Sequence, residues 1–272
     1  QEFKFCYAYA PGSRTSFASR RREWRVFNLL APSLKLDPND KDYPFSVKPD
    51  TLVTLEALID VFKDYYEGTP FDMTKNIKVT DKDGKSIISP LASPHMPYDA
   101  NDLYGVNGGW NELGERTIAR WYTMYATIIQ LRNWLPDEIG GVEWLAMDNV
   151  ATSIYVPIYG CVTDLPSQYK TPGRINGYSL ESAWWIFNRL GTLTSQRWGD
   201  MRHDVDAVWI PMQKQLIDEQ KDVDQQALEL YHRNKKSAIE FLNEYSNEEG
   251  EKVMKEAIKL GDFLWTKYDE KF

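Results

Sequence analysis

TIARWYTMYATIIQLRNWLPDEIGGVEWLAMDNVATSIYVPIYG, residues 117–160, decides the fold class of this chain. Over 117–132, β-branched and aromatic residues dominate, and both alternate faces are mostly apolar. Trp121, Tyr125 and Ile129 fall on one face, Tyr122, Met124 and Ile128 on the other. A strand apolar on both faces is one covered on both sides, so a buried strand is expected over 117–132. WLPDEIGG reads as the following turn, and VEWLAM (142–147) and SIYVPIYG (153–160) as two further strands. Pro157 lacks a ladder donor, which confines the last of these to an edge or a bulge.

Working upstream, Leu52, Leu55, Leu58, Ile59, Phe62, Tyr65 and Tyr66 recur at three and four residues, which predicts an amphipathic helix from Asp50 to Glu67. Asp50 or Thr54 can cap it, and Gly68 with Pro70 ends it. Residues 68–115 are polar and turn-rich, a length more typical of a functional loop than of a connector. Within them DKDG invites a hairpin between IKVT and SII. Residues 1–50 carry two short strand-like runs, FKFCYAY and WRVFNLL, followed by a loop holding Pro32, Pro38, Pro44 and Pro49. Downstream, Ser179 is the expected cap of a helix with Leu180, Ala183, Trp184, Phe187 and Leu190 inward. Further helices are expected over 205–245, with Pro211 as a kink, and over 248–268. The order, mixed, then strands, then helices, is that of an α+β layered domain.

Composition narrows the function. Of 272 residues, 42% are hydrophobic and 14% aromatic, with 10 Trp and 16 Tyr, enough for a deep core with polar handles at its rim. A formal net charge of −8 argues against a nucleic-acid partner. The basic cluster Arg14, Arg20, Arg21, Arg22 and Arg25 is interleaved with Trp24, Val26 and Phe27, and reads as a structural segment with ion-paired or solvated arginines. Cys6 and Cys161 form no CxxC pair, and His95, His203 and His232 are far apart, so no metal site or disulfide framework is legible. No apolar run approaches the ~18–20 residues of a membrane span. No cofactor is expected.

Several segments resemble the cysteine dipeptidases of the N-terminal-nucleophile hydrolases, relatives of bile-salt hydrolases and penicillin acylases. They are YPFSVKPD (43–50), DYYEGTPFDMT (64–74), RTIAR (116–120), the block 131–160, and SAWWIFNRLGTLTSQRW (182–198). The resemblance implies a four-layer αββα fold with a helical C-terminal region. It implies hydrolysis of dipeptides by an N-terminal cysteine whose own α-amino group acts as general base. On that reading residues 1–200 are the C-terminal part of the catalytic domain, and 201–272 a helical extension packing on it. The nucleophile and the upstream half of the domain, covalent or as a cleaved chain, are then expected outside this sequence, and this chain alone is expected to be inactive. Oligomeric state and compartment stay open. The alternatives are a scaffold or binding module without catalysis, and an amidohydrolase acting on non-peptide amides.

AMDNVATS (146–153) lies between two expected strands, where a loop presents polar groups to a cleft. Asn149 is the candidate oxyanion donor or substrate-orienting amide, and Asp148 a candidate partner for a free α-amino group; the structural alternative is an Asx-turn joining two strands. Arg116 and Arg120 can bind a dipeptide carboxylate or form structural ion pairs. Asp72 and Thr74 are candidate substrate contacts from the long loop, while Glu67 can simply close a helix. Cys6 and Cys161 read as small hydrophobes rather than nucleophiles, and Trp184–Trp185 as core rather than a ligand platform.

Overall fold

The computed structural model describes residues 3, 5–95 and 115–271. The chain forms two compact units, Gln1–Arg120 and Trp121–Phe272. The molecule is mixed, with small sheets and a helical C-terminal region.

The first unit opens with three helices, α1 (Phe5–Tyr9), α2 (Pro11–Thr15) and α3 (Phe17–Leu30). The strand-like runs FKFCYAY and WRVFNLL therefore fold as helix. The inward face of α3 is Ala18, Arg21 and Trp24, spaced by three. An arginine stem supplied part of that face, and a reading of apolar residues alone misses it. The arginine cluster is ion-paired. Arg21 Nε donates to Glu115 Oε1 at 2.9 Å with its guanidinium 3.4 Å above the Phe71 ring, Arg25 binds Asp64 at 2.7 Å, and Arg14 binds Glu23 and Asp42.

Helix α4 (Leu55–Lys63) is shorter than its sequence pattern. Thr54 is the cap, its hydroxyl accepting from Ala57 N at 3.2 Å, while Asp50 accepts instead from Ser33. The helix stops because the Asp64 carboxylate takes the Tyr66 N–H at 3.0 Å and Tyr66 enters the left-handed region at φ 69°. Strands β1 (Lys78–Thr80) and β2 (Ser86–Ile88) form the expected antiparallel hairpin. Asp81 Oδ1 accepts from Asp83 N and Lys85 N, and Gly84 supplies φ +78°.

The second unit is built on an antiparallel sheet ordered β3 (Tyr125–Leu131), β4 (Gly141–Met147), β5 (Val156–Tyr159). The central strand alternates, with Val142, Trp144 and Ala146 buried. Pro157 sits in β5, a sheet edge, as its missing N–H requires. The strand expected over 117–132 is corrected to 125–131, and only one of its faces is covered. Tyr125, Ile129 and Leu131 are exposed while Ile128 is buried. The pattern records that both faces are apolar; it does not supply the surface to cover the second.

A tight turn through α5 (Asp137–Gly140) joins β3 to β4, and α6 (Ser167–Lys170) follows β5. Three helices complete the unit: α7 (Ala183–Gln196), α8 (Trp198–Arg233) and α9 (Lys235–Lys267). Helix α7 packs on β4, and α9 packs on α7, α8 and β5. Ser182, not Ser179, occupies the N-cap position of α7, its hydroxyl donating to Thr171 O rather than capping the helix. Helix α8 runs through Pro211 without ending, and the break expected near residue 246 lies at Asn234, whose side chain accepts from Lys236 N at 3.0 Å to start α9.

Buried polar clamps hold the sheet and its loops to α8. Gln213 accepts from Tyr155 N at 2.8 Å and donates to Tyr155 O at 3.1 Å. The Trp209 indole donates to Thr152 O at 3.0 Å. Arg132 donates to Ile139 O at 2.7 Å and binds Asp224, whose other oxygen accepts from the Tyr159 hydroxyl at 2.7 Å. Each clamp satisfies backbone or charge that would be costly to bury unpaired.

Candidate active site

β4 ends at Met147, and the chain leaves it through Asp148 in the left-handed conformation, φ 58°. Aspartate tolerates that region better than most residues. The turn is fixed on both sides. Asp148 N donates to Met124 O at 3.0 Å, and Asn149 Oδ1 accepts from Ala151 N at 3.1 Å, capping a 3₁₀ turn over Val150–Thr152. This is the Asx-turn anticipated as the structural alternative, but it uses only half of the Asn149 amide. The Nδ2 group is buried and finds no acceptor among the described residues, and Asn149 as a whole is 1% exposed. A buried donor left without a partner costs about 1–3 kcal/mol, so its retention in a tightly packed turn marks it out. Ser153 Oγ, four residues further on, is buried and unpartnered in the same way.

Asp148 is 2% exposed. Burial pushes its carboxyl from the ordinary 3.8 up to about 6; the hydrogen bond from Asn188, the Asn149 backbone N–H and the charge of Arg174 act in the opposite direction. Asn188 Nδ2 donates to Asp148 Oδ1 at 3.0 Å from helix α7. One turn along, Gly191 lets the helix close on the loop: a Cβ there would lie 3.1 Å from Asp148 Oδ2 and 3.1 Å from Thr152 Oγ1. The result is a buried carboxylate that ionises near neutral pH beside an amide with two free N–H bonds. Such a pair can receive an ammonium group and donate to an oxygen that gains charge.

The other residues singled out from the sequence are placed as follows. Asp72 is 5% exposed and accepts from Gly68 N at 3.1 Å, Thr74 N at 2.9 Å and Thr74 Oγ1 at 2.7 Å, so Asp72 and Thr74 close one local turn. Arg116 is exposed and its carbonyl accepts from the buried Tyr66 hydroxyl at 2.8 Å; Arg120 is half-buried. These four belong to the first unit, and Asp148 and Asn149 to the second. Cys6 lies in α1 and Cys161 just after β5, both free thiols. Burial pushes the Cys161 thiol up, opposite to what a thiolate nucleophile needs. Trp184 is buried and packs edge-on against Trp185 at 4.7 Å, as core. Among the described residues there is no cluster of His, Cys, Asp and Glu suited to a metal ion, and no helix long and apolar enough to cross a membrane.

Asn188, Gly191 and Ser153 were not legible as site residues. The one signal for the first two is their i, i+3 spacing in NRLG, which sets an amide and a bare backbone on one helical face.

Dipeptidase A of Lactobacillus helveticus is 26% identical over 184 residues, covering 68% of this chain and 31% of that protein. A probable dipeptidase B of Lactococcus lactis subsp. lactis (strain IL1403) is 24% identical over 192 residues, 71% of this chain and 33% of its own. A probable dipeptidase B of Streptococcus pyogenes serotype M1 is 22% identical over 259 residues, 93% of this chain and 46% of its own. The chain thus spans from just under a third to just under half of the length of these curated relatives. Residues 1–210 match the family described as Peptidase family C69. That match covers most of the chain, and the chain belongs to peptidase family C69.

Proposed function

We propose that the intact protein is a dipeptidase and that this chain contributes the Asp148–Asn149 part of its active site. The observation that carries the reading is the buried Asn149 Nδ2 group without an acceptor, at the end of the central strand. Membership of the family and relatives named as dipeptidases support it.

In this reading a cysteine thiolate attacks the scissile carbonyl, and Asn149 Nδ2 donates to the carbonyl oxygen as it takes up negative charge. A preorganised donor of this kind is worth ~3–4 kcal/mol of barrier. Asp148, ionised above about pH 6, receives an α-ammonium group. The C–N bond then breaks, the leaving amine takes from the cysteine's α-amino group the proton that group removed from the thiol, and water hydrolyses the thioester, releasing the N-terminal amino acid and restoring the thiol. The resemblance to the cysteine dipeptidases implies that the nucleophile is an N-terminal cysteine outside this chain, and the upward shift of the Cys161 thiol is in keeping with that. By the same argument this chain alone is inactive. The fold is the four-layer αββα type, for which the apolar outer face of β3 (Tyr125, Ile129, Leu131) is the natural seat of a second sheet. Arg116, Arg120, Asp72 and Thr74 are further candidates for substrate contact in the first unit.

The test is hydrolysis by the purified intact protein of a panel of free dipeptides, the same dipeptides with acylated N-termini, and conjugated bile salts. Release of free amino acids from the unblocked dipeptides alone is the expected result. Cleavage of the bile salts alone would make it an amidohydrolase of another substrate class, and no turnover at all would leave it a scaffold.

A further inference from the structure

Helix α7 meets the Asp148 carboxylate with two residues one turn apart. Asn188 donates to Oδ1 at 3.0 Å, and Gly191 leaves a bare patch of backbone where Oδ2 lies, so close that a Cβ would stand 3.1 Å away. The turn around it is already fixed, by Asp148 N donating to Met124 O and by the Asn149 side-chain Oδ1 accepting from Ala151 N. The remaining freedom of the carboxylate is rotation about its own side-chain bonds, and Asn188 removes it.

We propose that Asn188 is the positioning residue of this site: it holds the Asp148 carboxylate in one orientation, with Oδ2 over Gly191, so that an ammonium group is received in a single pose. The inference rests on the reading of Asp148 given under Proposed function. A neutral amide suits the task. A lysine or arginine at this place would pair with Asp148 and neutralise it, whereas an amide orients the carboxylate and leaves its charge for the ligand. Among the described residues the charged group that acts on Asp148 is Arg174, from the loop before α7. Its guanidinium lies 5.0 Å above the Trp184 ring. From α7 come Asn188 and Gly191, and from α8 the Trp209 indole at Thr152, all uncharged. Arg174 therefore tunes the site through its field, and Asn188 through contact.

The experiment compares the intact protein with Asn188→Ala, Asn188→Ser and Asp148→Asn. One readout is the carboxyl titration of Asp148 by carbon NMR, assigned by its loss in Asp148→Asn. The other is the pH profile of kcat/KM on a free dipeptide. Losing one hydrogen bond to the ionised form is expected to move the Asp148 midpoint up by about one to two pH units in Asn188→Ala. The acid limb of kcat/KM should move with it, and kcat/KM at pH 7 should fall by roughly two- to tenfold. Asn188→Ser, which keeps a donor, should recover part of both. A merely structural role for Asn188 moves neither the midpoint nor the limb. An unmoved midpoint in Asn188→Ala, with Asp148→Asn inactive, overturns this inference alone. Full activity in Asp148→Asn overturns the reading of the site on which it rests.

Discussion

Replacing Asp148 by Asn should make the protein more stable near neutral pH while impairing its function. The carboxyl is 2% exposed and titrates at about 6 in the folded chain, against 3.8 for an ordinary aspartate. Because the folded value is the higher one, the folded state holds its proton after the unfolded state has released it. The stability that Asp148 contributes is complete below pH 3.8 and is lost as the pH rises through about 6. At about 1.4 kcal/mol per pH unit, the whole loss comes to about 3 kcal/mol. An Asn side chain keeps an oxygen for the Asn188 amide and carries no charge to desolvate, so it escapes this loss. Urea unfolding of wild type and Asp148→Asn, followed by tryptophan fluorescence between about pH 4 and about pH 8, measures the difference. The two curves should converge near pH 4, separate between about pH 4 and 6, and stay about 3 kcal/mol apart above that, with the variant the more stable. Parallel curves across the whole range would refute the argument that Asp148 is a desolvated carboxylate held against its own stability.

Two further substitutions probe the frame around the site. Arg132→Ala removes the partner of Asp224 and the donor to Ile139 O, leaving a largely buried carboxylate, and should cost about 3–5 kcal/mol in urea unfolding; a loss below about 1 kcal/mol would show that the pair behaves as a surface one. Gly140→Ala sets a Cβ 2.6 Å from the Arg132 carbonyl oxygen in the turn between β3 and β4, where backbone cannot yield cheaply. It should lower stability by about 1–3 kcal/mol, and an unchanged melting temperature would contradict the close approach.

The parts of this fold that were legible in the sequence are those set by local chemistry. VEWLAM alternates because β4 has one buried face, Pro157 marks an edge because it lacks a donor, and DKDG closes a hairpin through Asp81 and Gly84. The parts that were not legible depend on partners distant in sequence. Helix α3 buries an arginine whose charge is satisfied by Glu115, far along the chain, and no local pattern announces that. The extent and covering of β3 depend on what lies against it, and the break at Asn234 depends on a cap that uses a polar residue inside a long polar helical run. The same division holds at the site. Asp148 and Asn149 stand out as polar residues between two strands, whereas Asn188 becomes part of the site only because α7 folds back onto that loop. Its neighbours along the helix, Phe187 and Leu190, are core.

The most direct test of the central claim is the rate of dipeptide hydrolysis by the intact protein with Asn149→Ala. The Asn149 side chain holds the 3₁₀ turn through one bond to Ala151 N, so the variant's melting temperature is read alongside its kinetics. If Nδ2 is the donor to the developing oxyanion, kcat falls by ~100-fold or more with KM nearly unchanged, in a protein that still folds. A folded Asn149→Ala variant with wild-type kcat would contradict the account.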